Sequence, residues 1–162
     1  MTRERNTTMP VVLVASQNAA VRRRLRQELE GAFTVQEVTE RSALERSIAD
    51  LQPTVLIFDF PLRQLGGAEG LRAVRKMCPS TKSILITSTP SEEEEISVLK
   101  AGVRGYCDRG ITPTHFRKAV EKVQEGEIWA SRNIVSHILV ELASLTNSGY
   151  REMPPSRVNE YC

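Results

Sequence analysis

Short uninterrupted apolar runs alternate along the chain with longer stretches whose apolar residues recur every three or four positions. That alternation is the mark of repeated strand and helix units. Residues 11–15 (Val-Val-Leu-Val-Ala) and 55–58 (Val-Leu-Ile-Phe) are continuous aliphatic runs, as expected of parallel strands covered on both faces. Residues 33–38 alternate Phe33, Val35 and Glu37 against Thr34, Gln36 and Val38, which predicts a half-exposed edge strand. Residues 83–86 and 105–108 supply a fourth and a fifth strand.

Between these runs the period changes to that of a helix. Val21, Leu25 and Leu29 predict a helix over 19–30, stopped by Gly31, and Leu44, Ile48 and Leu51 a second over 42–51, ended by Pro53. Leu71, Val74 and Met77 mark the inward side of a third, with Pro79 beyond its end. Ser91 caps a fourth that opens on the run Glu92 to Glu95, where carboxylates favour the positive end of the helix, and closes at Gly102. Thr112 and Pro113 open a fifth that carries Phe116, Ala119, Val120 and Val123 and ends at Gly126. A sixth, over 131–144, carries Ile134, Val135, Ile138, Leu139 and Leu142 on one side.

Five units joined by right-handed crossovers predict an α/β fold: a doubly wound, five-stranded parallel sheet in the flavodoxin-like order 2-1-3-4-5, with an extra C-terminal helix. The expected organisation is a flexible N-terminus (1–9), a core domain (10–127), a linker or dimerisation helix (128–145) and a disordered tail (146–162). The length of 162 residues suits one such domain.

Charge and cysteine content narrow the partners. A net charge of +2 is too small for binding nucleic acid through the bulk field, and Arg22, Arg23, Arg24 and Arg26 read as a solvated helix face, so direct nucleic-acid contact by this chain is not expected. No apolar run approaches the roughly 18 residues of a membrane span, and the first nine residues lack a signal peptide's apolar core, so a cytoplasmic location is expected. Cys78, Cys107 and Cys162 have no metal-like spacing, and His115 and His137 have no paired ligand nearby in sequence.

Sheets of this kind bind their ligands beyond the carboxyl ends of the strands. Those tips carry Ser16 and Gln17, then Asp59, Thr87 and Arg109. A lone carboxylate at a strand end can simply cap the next loop; convergence with the other tips is what makes it a site.

With Leu62, Leu65 and Gly67 after Asp59, Ile-Leu-Ile before Thr87, and Leu99-Lys-Ala-Gly-Val-Arg-Gly-Tyr-Cys-Asp-Arg109, the stretch from 11 to 126 resembles the receiver domain of bacterial two-component response regulators, particularly the NarL/FixJ branch. The spacings, 28 from Asp59 to Thr87 and 22 from Thr87 to Arg109, are the family's without gaps. The resemblance implies that Asp59 corresponds to the phosphoacceptor, Thr87 and Tyr106 to the switch hydroxyl and aromatic, and Arg109 to the conserved lysine. It also implies a histidine kinase as candidate partner, Mg²⁺ as the family's ion, and the surface of the fourth helix, fifth strand and fifth helix as the meeting place with other signalling proteins.

Three departures change that picture. Ser16 and Gln17 stand where the family has an acidic pair, Arg109 replaces lysine, and Arg63 stands where the family often has proline. Each lost carboxylate removes about 8 kcal/mol of gross attraction for a divalent ion at ~4 Å and an effective dielectric of ~20. Arginine's planar fork grips a carboxylate instead of acting as a mobile point charge. The expectation is therefore no bound metal (Asp59 alone as ligand if Mg²⁺ binds at all), no other cofactor, and neutralisation of Asp59 by Arg109 aided by Arg63. The chain reads as an atypical receiver that signals through phosphorylation-independent protein–protein contacts and is not an enzyme. One alternative is a receiver phosphorylated on Asp59 by a histidine kinase with weakly bound Mg²⁺, regulating transcription through a missing or separate output domain. A flavin-binding protein of the same topology is a third reading, disfavoured because residues 16–20 offer no glycine-rich phosphate cradle. The sixth helix makes a second copy of the chain another candidate partner.

Overall fold

A computed structural model of the chain describes residues 9–146 and 158–160. Its elements run β1 (Val11–Ser16), α1 (Ala19–Leu29), β2 (Thr34–Val38), α2 (Leu44–Leu51), β3 (Val55–Asp59), α3 (Gly67–Met77), β4 (Lys82–Thr87), α4 (Glu92–Lys100), β5 (Gly105–Asp108), α5 (Pro113–Gln124), β6 (Ile128–Ala130), α6 (Arg132–Thr146) and β7 (Val158–Glu160), with short 3₁₀ turns at Arg41–Ala43 and Leu62–Leu65. The strands form one sheet in the order β2-β1-β3-β4-β5-β6-β7, and every pairing is parallel.

The predicted five-stranded sheet is thus too small. Its 2-1-3-4-5 order holds, but β6 and β7 extend it beyond β5, and Val158–Glu160 pairs as a strand where a disordered tail is expected. Three-residue strands are too short to show a period of two, so neither is visible in the hydrophobic pattern. The remainder of that tail, and the expected flexible N-terminus apart from Met9, lie outside the described residues.

The wholly buried runs in β1 and β3 are central because helices cover both faces of the sheet. On one side Val12, Val14, Val55, Ile57 and Ile84 pack with Leu25 and Leu29 of α1 and Phe116 and Val120 of α5. On the other Leu13, Leu56, Phe58 and Leu85 pack with Leu44 and Ile48 of α2, Leu71 of α3 and Val98 of α4. Leu51 and Met77, read from the spacing as inward, close the last turns of α2 and α3 and are exposed. Of the α6 stripe, Ile134 and Val135 are buried, whereas Leu139 and Leu142 are exposed.

The caps fix where the helices begin. Asn18 Oδ1 accepts from the backbone N–H groups of Ala20 (2.9 Å) and Val21 (3.3 Å) at the start of α1, and Ser91 Oγ from that of Glu94 (3.2 Å) at the start of α4. Close to the tip of β3, the 3₁₀ turn presses on Gly70: a Cβ there would lie 1.7 Å from the Leu65 carbonyl oxygen, so only glycine fits. Among the described residues, no helix is long and apolar enough to cross a membrane.

Candidate functional site

Asp59 ends the most deeply buried strand, and its side chain is 2% exposed. A carboxylate so placed needs partners for both oxygens. In the β1–β3 register Ser16 stands opposite Asp59. Its hydroxyl donates to Asp59 Oδ2 at 2.7 Å and accepts from the Asn18 backbone N–H at 3.1 Å. On the other oxygen, Arg109 Nη2 donates to Asp59 Oδ1 in a charge-assisted hydrogen bond. The carboxylate is therefore held on one side by a neutral donor from β1 and on the other by a cation from the loop after β5.

That loop is itself tied down. The Arg109 backbone N–H donates to the Thr87 carbonyl at 2.8 Å, joining the tips of β4 and β5. From α1, Arg24 donates through Nη1 to the Arg109 carbonyl and through Nη2 to the Ile111 carbonyl, each at 2.6 Å, and through Nε to Glu28 Oε1 at 2.9 Å. Arg22 Nη1 donates to the Ser16 carbonyl at 2.7 Å. Two of the four arginines read as a solvated face thus grip the backbone of the two loops that present Ser16 and Arg109. No periodicity could show this, because the acceptors are carbonyls more than eighty residues away in the case of Arg24.

The other predicted residues gather less tightly. Thr87 lines a cavity of about 320 Å³ over Asp59, together with Phe60, Arg63, Ser88, Glu94 and Arg109. The Thr87 hydroxyl accepts from the Thr89 backbone N–H at 3.2 Å. Arg63 reaches this cavity but makes no ion pair with Asp59 among the described residues, so the neutralising cation is Arg109 alone. Gln17 is exposed and does not contact the carboxylate. Tyr106 is buried outside the cavity. Its hydroxyl donates to Glu94 Oε1 at 3.0 Å and accepts from the Ser91 backbone N–H at 3.1 Å, and burial holds the phenol well above its usual range. Glu94, whose sequence signal is its place three residues after the cap Ser91, thereby links the Tyr106 hydroxyl to the cavity over Asp59.

The donor set matches a hard divalent cation poorly. Mg²⁺ takes oxygen ligands and is commonly held by one or two carboxylates, waters and phosphate. Here one carboxylate is present, a hydroxyl donates to one of its oxygens and a guanidinium to the other. Among the described residues no three His, Cys, Asp or Glu side chains converge as a metal site.

Comparison with known proteins agrees with the fold. The family described as response regulator receiver domain matches residues 12–121. Response regulator UvrY of Escherichia coli K12 is 24% identical over 130 residues, which are 78% of this chain and 60% of that protein, so the chain spans three fifths of this relative's length. Among solved structures, a LuxR-family two-component response regulator from Aurantimonas sp. superposes with a TM-score of 0.70 at 20% identity, covering 84% of this chain and 99% of its own. A LuxR-family DNA-binding response regulator from Silicibacter pomeroyi gives 0.65 at 27% identity, covering 76% and 98%.

Proposed function

The chain belongs to the response regulator receiver domain family, and on that premise we propose that it is an atypical receiver, one that signals by protein–protein contact without phosphorylation of Asp59. The observation that carries this reading is the double occupancy of the aspartate: Ser16 donates to Oδ2 and Arg109 to Oδ1. Phosphoryl transfer to a carboxylate needs one oxygen turned in line toward the phosphorus and a cation on the incoming phosphoryl oxygens, and hydrogen bonds to both oxygens hold the carboxylate in another use. In this chain both oxygens are engaged, and the positions where acids would recruit the metal hold the neutral residues Ser16 and Gln17.

The positive charge that a metal would bring is supplied by Arg109, fixed through its backbone by Arg24 and Thr87. A permanent ion pair in that place ties the tip of β3 to the loop after β5 in one arrangement, so the protein's signal lies in which partners are present. By likeness to the DNA-binding response regulator of Silicibacter pomeroyi, those partners act in transcriptional control, and a cytoplasmic site of action follows.

The test is incubation with acetyl phosphate, or with beryllofluoride and Mg²⁺, read by intact mass and by backbone amide shifts around Asp59. The expected result is no mass gain and no shift at any Mg²⁺ concentration the folded protein tolerates. A phosphorylated species, or saturable beryllofluoride shifts at Asp59 and Thr87, overturns the reading in favour of a phosphorylatable receiver with weakly bound Mg²⁺.

A further inference from the structure

A second cavity, of about 460 Å³, opens on the other side of the β5–α5 loop, with Glu95, Tyr106, Asp108, Ile111, His115 and Trp129 in its walls. That volume is in the range of ligand sites, and among the described residues no lysine or arginine lines it. The more buried of its two carboxylates is Glu95. Glu92 and Glu93 of the same turn are exposed, whereas Glu95 is 7% exposed. Glu95 Oε1 accepts from the Ser131 backbone N–H at 2.7 Å, and no protein donor among the described residues reaches Oε2. Asp108 Oδ1 accepts from the Gly110 backbone N–H at 2.8 Å, and no cation among the described residues pairs with its charge. The field of these two carboxylates is felt between them: the Cys107 thiol is pushed up to about 12, first by burial and then by Glu95 and Asp108.

A buried carboxylate without a cation is costly, and aromatic walls favour a cation over a neutral guest. Arginine meets both demands, because its guanidinium is flat, weakly hydrated and forked to match a carboxylate. The cavity also shares a wall with the one over Asp59. Glu94 faces the first cavity and Glu95 the second, Arg109 the first and Asp108 the second, and Tyr106 in the second cavity is hydrogen-bonded to Glu94.

We propose that this cavity is a socket for an arginine side chain presented by the partner protein, with Glu95 and Asp108 pairing the guanidinium and Tyr106 and Trp129 flanking it. The proposal rests on the protein-contact reading above and names the chemistry of the contact. It is tested on the full chain by titrating N-acetyl-arginine amide, read through the fluorescence of Trp129, the only tryptophan, and through the amide shifts of Glu95, Asp108 and Ser131. The expected result is a saturable change. Its midpoint is about tenfold weaker in Glu95→Gln and in Asp108→Asn, each of which keeps an oxygen for its backbone donor while losing the charge. N-acetyl-citrulline amide, neutral and nearly the same shape, gives no response. No saturable change, an equal response to the citrulline compound, or unchanged midpoints in both variants overturns the proposal. Asp108 is exposed, so its variant remains informative even if Glu95→Gln fails to fold. Failure here with beryllofluoride still refused at Asp59 rejects the socket alone, whereas beryllofluoride binding rejects the underlying reading.

Discussion

Ser16 stands opposite Asp59 across two parallel strands and donates its hydroxyl proton to the buried carboxylate at 2.7 Å. The β1 residue that faces the carboxylate is a hydrogen-bond donor, so it stabilises the charge of Asp59 and offers no second acid beside it. Ser16→Ala leaves Asp59 Oδ2 without its partner, and urea unfolding should show a loss of about 1–3 kcal/mol. The double change Ser16→Asp with Gln17→Asp should destabilise the chain without metal, through like charges at Asp59, and recover with added Mg²⁺ in thermal melts. A double variant indifferent to Mg²⁺ would show that an acid pair at the end of β1 does not by itself make a metal site beside Asp59.

Arg109 and Asp59 should be strongly coupled. In a double-mutant cycle of Arg109→Ala and Asp59→Ala, the interaction energy is expected at about 1–3 kcal/mol, below the full value for a buried pair because the arginine side chain is 39% exposed. Arg109→Lys should recover only part of that, since the flexible ammonium lacks the fork.

Arg24→Ala removes three hydrogen bonds at once and leaves the carboxylate of Glu28, 8% exposed, without its cation. The cost should be about 1–3 kcal/mol, while Arg23→Ala on the exposed face of α1 should fall within about 0.5 kcal/mol of the parent. Chemical denaturation of the two single variants separates the gripping arginine from the solvated one.

Alkaline pH should destabilise the fold. The thiol of Cys107 ordinarily ionises at 9.0 and is raised to about 12 by burial, so above pH 9 the unfolded chain releases a proton that the folded chain retains. Stability is thus fully present below about pH 9 and lost progressively towards pH 12. Tyr106, raised by its own burial, acts in the same direction. Cys107→Ser should flatten the melting temperature against pH over that window, and the parent thiol should resist alkylation at pH 8.

How much of this was legible in the sequence depends on the range over which each interaction acts. Val55 to Phe58, the spacing of Phe116, Ala119 and Val120, and the cap at Thr112 are local patterns, and they gave strands and helices close to those observed. The gathering of Asp59, Ser16, Thr87 and Arg109 followed from topology, because parallel strands bring their carboxyl ends to one edge. What the pattern could not show was direction and reach. Ser16 as donor depends on the register of β1 against β3, and Arg24 depends on where a loop carbonyl more than eighty residues away comes to rest. Tyr106 has the expected position, yet its partner Glu94 sits in a run of four glutamates that differ only in the face they turn inward. The strand at Ile128–Ala130 was hidden by its brevity.

That brief strand redraws the unit that folds. Trp129 donates its backbone N–H to the Arg104 carbonyl at 2.9 Å and lies against Gly105, Ser131 is latched to Glu95, and Lys100 of α4 meets Glu141 of α6 at 2.6 Å. A cut at residue 127, where the last complete repeat of strand and helix ends, would strip from the sheet the strand that carries Trp129 and bare a carboxylate that had been folded away. Anyone transplanting this module onto another protein should carry it whole through β7, because the surface beside β5 is built jointly by the receiver and by the segment that follows it.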